Sequence, residues 1–246
     1  MLLGDLRQLE QPIQGSHPDG ADASALDHIL GPHATIPADR GLFLPETWRL
    51  HPTICAFNSE LFYESRLFLG LVLRNSRSSQ RESSGEQAFA TSPIEHSGNQ
   101  SSSQEEANAV RDLVTNILGS GTTCVNRDDV EAVIKLDDIL IIAPYNAQVF
   151  ELQERIPGGR VGTVDKFQGQ EAPIVIYSVT TPSHLDAPRG MEFLYSANRL
   201  NVATSRAKCI CVMVASPRVF EAECRTPRQM QLANAFCQYL EMAAPV

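Results

Sequence analysis

Ile139-Leu140-Ile141-Ile142 is a run of four apolar residues with no polar alternation. Two later runs share its character, Ile174-Val175-Ile176-Tyr177 and Ile210-Cys211-Val212-Met213-Val214. Each has strand length and is rich in β-branched side chains. Such runs mark strands buried on both faces, as in a parallel sheet covered by helices. The sequence around them carries helical spacing. Pro52 sits where a helix starts, and Ile54, Phe57, Leu61 and Phe62 follow at helical period. Ser102 and Glu105 predict a capping box, followed by an apolar stripe of Val110, Leu113, Val114, Ile117 and Leu118 that Gly119 stops. A third helix is predicted over residues 227–242, with Thr226, Pro227 and Gln229 at its start. Its expected buried face is Met230, Ala233, Phe236, Cys237 and Leu240. Strands alternating with helices give an α/β, doubly wound fold with a mainly parallel sheet and helices on both faces.

Outward from that core the composition changes. Residues 10–41 carry many Gly, Pro, Asp and His and read as a connecting segment, with a short helix at Ala25-Leu26-Asp27-His28-Ile29-Leu30. Residues 74–104 hold ten serines and predict a mobile insert with at most one weak edge strand near Phe89. The 246 residues carry a net charge of −9, which taken alone argues against a nucleic-acid coat or a membrane-surface protein. No run of apolar residues is long enough for a transmembrane helix, and Met1-Leu2-Leu3-Gly4-Asp5 lacks the pattern of a signal peptide, so a cytoplasmic location and no membrane partner are expected. The six cysteines show no C-x2-C spacing and read as reduced thiols, with no metal site.

Four segments place polar or charged residues beside the ends of apolar stretches, where open α/β sheets bind ligands. In Gly4-Asp5-Leu6-Arg7-Gln8-Leu9, Gln8 projects an amide; read alone, the segment is a capped turn. In Glu46-Thr47-Trp48-Arg49-Leu50-His51-Pro52, the sole tryptophan can stack on a base or on Arg49, or sit at the rim of the core. The loop Thr163-Val164-Asp165-Lys166-Phe167-Gln168-Gly169-Gln170-Glu171 gathers hydroxyl, amide and carboxylate groups suited to phosphate, ribose or magnesium-bound water. In Asn198-Arg199-Leu200-Asn201-Val202-Ala203-Thr204-Ser205-Arg206-Ala207-Lys208, Arg199 and Arg206 are seven apart and leave a helix from nearly one face. Two such guanidinium groups suit polyphosphate; the alternative is a solvated basic face.

Taken in order, and with Pro144-Tyr145-x-x-Gln148 between the second and third, these segments resemble motifs III to VI of superfamily 1 helicases of the Upf-like (1B) branch. The flanking residues 44–49 and 188–195 resemble bacterial fusions of a RecB-like nuclease with such a helicase. The resemblance implies a RecA-like, P-loop-NTPase-like domain over 44–246, the second of the motor, preceded by a motif III start and connecting segment over 1–43. It implies that Gln8 senses the γ-phosphate, that Arg49 reaches the nucleotide phosphates and that Arg206 is the arginine finger. Glu171 is then near the ribose, and Gly169, Arg199, Trp48 and Asp5 belong to the nucleotide side. Thr163, Tyr145, Asp165 and Gln168 belong to the nucleic-acid path.

Two positions depart from the family pattern. Leu6 stands where motif III usually has proline, which leaves that loop less rigid. Thr204-Ser205 stands where a Leu-Thr pair is commoner. The sequence also contains no Gly-x-x-x-x-Gly-Lys-Ser/Thr and no Asp-Glu-Ala-type Walker B motif. ATP and Mg2+ are therefore expected as cofactors only when a first RecA-like domain carrying Walker A and B completes the site, in the same or another polypeptide. Alone, the chain is expected to hydrolyse no ATP. Single-stranded DNA is the expected nucleic-acid partner, with RNA as the alternative. A competing class is a non-catalytic module that binds nucleic acid or a partner protein.

Overall fold

A computed structural model describes residues 3–8, 23–70, 88–125, 130–167 and 169–246. The helices are α1 (Ala25–Leu30), α2 (Pro52–Phe62), α3 (Gln104–Gly119), α4 (Asn146–Arg155), α5 (Gly190–Leu194), α6 (Ala197–Arg206) and α7 (Pro227–Met242). The strands are β1 (Glu46–Thr47), β2 (Phe68–Leu69), β3 (Phe89–Pro93), β4 (Thr123–Val125), β5 (Glu131–Val133), β6 (Ile139–Ile142), β7 (Arg160–Gly162), β8 (Ala172–Ser178), β9 (Ala207–Ala215) and β10 (Ala244–Pro245).

The three apolar runs form the middle of a six-stranded sheet of order β10-β3-β9-β8-β6-β7, in which every pairing is parallel. Their alternate side chains enter two cores. Leu140, Ile142, Val175, Tyr177, Cys211 and Met213 pack on the face covered by α2, α6 and α7. Ile139, Ile141, Ile174, Ile176, Val212 and Val214 pack on the face covered by α3 and α4. Burial on both sides is why these strands show no polar alternation. The chain has the expected α/β, P-loop-NTPase-like architecture.

Several expectations need correction. Phe89 lies on no weak edge strand: β3 pairs with β9 on one side and β10 on the other. Phe89 is fully buried, with its ring centroid 4.9 Å from Phe57 and 4.9 Å from Tyr239. The Tyr239 hydroxyl then donates to the Ala90 and Cys211 carbonyls at 3.0 and 2.7 Å, fastening α7 across both strands. The serine count over 74–104 hid a five-residue strand whose burial comes from distant partners. The first half of that predicted insert, up to residue 87, lies outside the described residues.

The cap of α3 is Ser103, one residue beyond Ser102; its hydroxyl accepts from the Glu106 amide at 3.1 Å. Glu106 does not reach back to the cap, because its carboxylate is drawn into the interior. The buried face of α7 is Leu232, Ala233, Ala235, Phe236 and Tyr239, while Met230 and Leu240 face solvent. That helix is apolar over much of its girth, and Tyr239 sets its rotation. Cys124 of β4 and Cys209 of β9 face each other with Cα atoms 7.2 Å apart, wider than a relaxed disulfide spans. No helix among the described residues is long and apolar enough to cross a membrane.

Candidate phosphate site and nucleic-acid groove

The first cluster forms where the start of the chain meets the end of α6. Residues 5–8 make a turn in which the Asp5 carboxylate accepts from the Arg7 amide at 2.9 Å and the Asp5 carbonyl from the Gln8 amide at 3.3 Å. α6 and α2 then hold this turn from below. The Asn198 and Asn201 side-chain amides donate to the Leu6 and Arg7 carbonyls at 3.3 and 2.7 Å. The Tyr63 hydroxyl, just past α2, donates to Asp5 at 2.6 Å and accepts from Asn201 at 3.0 Å. Burial and the neighbouring Asp5 carboxylate push the Tyr63 phenol far above its ordinary range, so it stays a donor. The turn that lacks the usual proline at Leu6 is thus fixed by side chains from two helices.

That fixation delivers Gln8 to Arg206. The Arg206 guanidinium is buried, with Nη2 donating to Gln8 Oε1 at 3.1 Å and Nε to the Phe167 carbonyl at 3.2 Å. These two bonds leave the rest of its five-donor fork to offer. Burial, then the nearby Arg49 charge, lowers the Arg206 pKa. Arg49 itself pairs with Glu171 at 3.5 Å, and Lys208 pairs with the other Glu171 oxygen at 2.6 Å. Burial would raise the Glu171 carboxyl, but Lys208 and Arg49 hold it below its ordinary value. The Arg49–Glu171 contact is long and about a third exposed, a class of pair worth at most about 1 kcal/mol. Arg49 is therefore cheaply released to a stronger anion. Gly169 turns the loop toward Glu171 with φ +75°, a conformation that other side chains rarely adopt.

Asp5, Gln8, Trp48, Arg49, Tyr63 and Ser205 line a cleft of about 740 Å³. Trp48 lies against Gly70, so closely that a Cβ there would sit 2.6 Å from the ring, and it presents its remaining surface to the cleft. The Asn58 Nδ2 atom, buried on the same cleft, has no hydrogen-bond partner. The cleft is otherwise lined largely by leucine, isoleucine and phenylalanine side chains, and Arg49 with this orphan donor makes the part of it that fits an acceptor-rich ligand such as nucleotide phosphate. No group of three or more His, Cys, Asp or Glu comes together among the described residues to hold a metal.

Arg199 is not part of this cluster. Seven residues of helix, at about 1.5 Å each, separate it from Arg206, and it opens into a second groove of about 340 Å³ with Ser101, Tyr145, Asn146, Thr163, Asp165 and Arg189. Three of the four residues expected on the nucleic-acid path are here, together with the arginine expected on the nucleotide side. Gln168 lies outside the described residues.

Sequence reasoning missed Tyr63, Asn198 and Asn201 as the seat of the turn. It also missed Glu106, whose buried carboxylate takes the Ser178 hydroxyl at 2.6 Å, the Thr180 amide at 2.8 Å and the His96 ring at 3.0 Å. Gln148, quoted only for its spacing to Tyr145, bridges Ser103 and Ser178 from inside the domain.

Tyr63→Phe keeps the ring in the core and deletes one hydroxyl. Amide hydrogen exchange at Arg7 and Gln8 is expected to rise roughly tenfold, with β8 amides unchanged. Unaltered exchange at both positions would mean that the turn is held without Tyr63.

The AAA domain family matches residues 23–218. An uncharacterized ATP-dependent helicase of Caenorhabditis elegans is 28% identical over 228 residues, covering 87% of this chain and 14% of that protein. The DNA polymerase alpha-associated DNA helicase A of Schizosaccharomyces pombe is 27% identical over 225 residues, covering 87% and 33%. The mouse 5'-3' DNA helicase ZGRF1 is 28% identical over 230 residues, covering 88% and 11%. The chain thus spans a third or less of the length of each of these relatives. The relatives named here are helicases, and with most of its length inside the matched domain the chain belongs to the AAA domain family.

Proposed function

We propose that this chain is the second RecA-like domain of an ATP-dependent superfamily 1 helicase acting on single-stranded DNA. The observation that carries the reading is the Gln8–Arg206 pair, which joins a motif III turn to a buried guanidinium beside Arg49 and an open cleft. ATP with Mg2+ would supply the phosphoryl transfer and is held, on this reading, jointly with a first domain that carries the Walker motifs and the magnesium carboxylate. The residues of this chain do the rest. Arg206 and Arg49 set positive charge where negative charge develops on the transferring group. Gln8 fixes the Arg206 fork and reports its position to the turn at residues 5–8. Glu171 keeps Arg49 and Lys208 oriented until a phosphate draws Arg49 away.

Two named relatives are DNA helicases and another, of Drosophila melanogaster, is a probable RNA helicase, so the choice of DNA rests on the resemblance to nuclease fusions. Closeness to nuclease fusions and a cytoplasmic location rest on residues 44–49 and 188–195 and on composition alone. With single-stranded DNA present, the purified chain is expected to hydrolyse no ATP, and turnover is expected once a P-loop domain is joined to it. Turnover by the chain alone, abolished by Arg206→Ala, would overturn the shared-site arrangement. Oligonucleotide binding with no turnover in the joined form would favour the binding module instead.

A further inference from the structure

We propose that Arg189 and Arg199, both seated on the ring of Phe193, form a two-point phosphate clamp for single-stranded nucleic acid. The inference rests on the reading of the second groove as the nucleic-acid path, and moves Arg199 from the nucleotide to the strand. The Arg199 Cζ atom lies 3.9 Å from the Phe193 ring centroid and that of Arg189 4.7 Å. Tyr145 closes the group, with its ring 5.1 Å from Phe193.

Both guanidinium groups line the same groove, where the phosphates of a strand can meet them. Among the described residues no carboxylate comes within ion-pair distance of either one, although Asp165 lines the same groove. A cation–π contact positions a guanidinium without consuming an N–H donor, so both forks stay available for bidentate bonds to phosphate. Their neighbours suit a sugar–phosphate strand. Ser101 and Thr163 offer hydroxyls, Asn146 an amide and Tyr145 an aromatic edge. The contents of the groove are thus backbone-reading groups rather than a pocket for one base, which matches sequence-tolerant strand binding. The separation along α6 keeps Arg199 out of the Arg206 cluster, so the two ends of one helix serve two phosphate ligands. A shift of α6 on nucleotide binding would be felt directly by the strand.

The test is fluorescence anisotropy of labelled oligothymidylate and oligouridylate with the 246-residue chain, titrated with salt. Each phosphate contact contributes about −0.7 to the slope of log K against log salt for a single strand. Arg189→Gln and Arg199→Gln are each expected to flatten the slope by about 0.7, and the double variant by about 1.4. Phe193→Leu is expected to keep the slope and weaken binding several-fold, because the charges remain but lose their seat. Arg111→Gln, on the exposed side of α3, is expected to change neither. Thermal melts check that each variant is folded. Wild-type binding with slopes unchanged in both arginine variants would overturn the clamp and leave the groove reading intact. No binding of either oligonucleotide by the wild-type chain would overturn the groove reading and the clamp with it.

Discussion

Arg206→Ala is expected to lower ATP turnover about 10³-fold or more in the enzyme completed by a P-loop domain, with little change in KM. The reason is local. Arg206 is buried, its Nε and Nη2 are spent on Phe167 and Gln8, and on the proposed reading its remaining donors meet charge that exists only as the phosphoryl group transfers. A group that meets the transition state and not the ground state changes kcat rather than KM. Arg206→Lys keeps the charge and much of the stem but has no fork to divide between Gln8, Phe167 and phosphate. A loss close to that of alanine would therefore assign the effect to the fork. Gln8→Ala frees the same guanidinium without deleting it, and is expected to cost less than either substitution. A KM rise with kcat intact for Arg206→Ala would instead make it a ground-state binding residue.

The largest stability effect is expected at Glu106. Its carboxylate satisfies three buried donors, from Ser178, Thr180 and His96, and Gln148 joins the same network through Ser178. Glu106→Ala leaves those donors without an acceptor in a site that water does not reach. Each unsatisfied buried group costs about 1–3 kcal/mol, so a total of about 3 kcal/mol or more is expected. For a domain of this length that lowers Tm by roughly 10 °C, readable in a thermal melt. Glu106→Gln retains an oxygen for Ser178 and Thr180 and turns only its amide toward His96. It is expected to cost about 1 kcal/mol. The network also braces the groove, since Thr181 holds the Gln100 carbonyl at 2.7 Å beside the Tyr145 hydroxyl. Oligonucleotide affinity is thus expected to fall with stability in Glu106→Ala and to survive in Glu106→Gln. An equal and small Tm change in both would show that the network adds little.

The three central strands were legible because parallel strands buried on both faces need apolar side chains at every position. Ile139–Ile142 and its two counterparts display that need without reference to anything distant. Pro52 and Thr226 likewise mark helix starts through their own local chemistry. β3 was not legible, since its burial depends on Phe57 and Tyr239, which are 32 and 150 residues away in sequence. The face of α7 failed for the same reason: Tyr239 is chosen by the carbonyls of β3 and β9, not by periodicity.

In the site, ordered motifs were enough to nominate Gln8, Arg49, Glu171 and Arg206, which the fold does bring to one corner. They were not enough to separate two arginines on one helix. The seven-residue spacing puts Arg199 and Arg206 on one face, yet a helix also has length, and its ends open into different clefts. The overall charge of −9 proved uninformative about the site for a similar reason. Glu131 and Asp137 lie on exposed surface, while Arg49 lines the first cleft and Arg189 and Arg199 line the second.

The most direct measurement of the central claim is the trapping of a phosphoryl-transfer analogue, ADP with aluminium fluoride, by the completed enzyme. Wild type is expected to bind it at least about 100-fold more tightly than ADP alone. Arg206→Ala is expected to lose that preference while holding ADP as before. An Arg206→Ala enzyme that traps the analogue as tightly as wild type would contradict the account, because Arg206 would then play no part in stabilising the transferring phosphate.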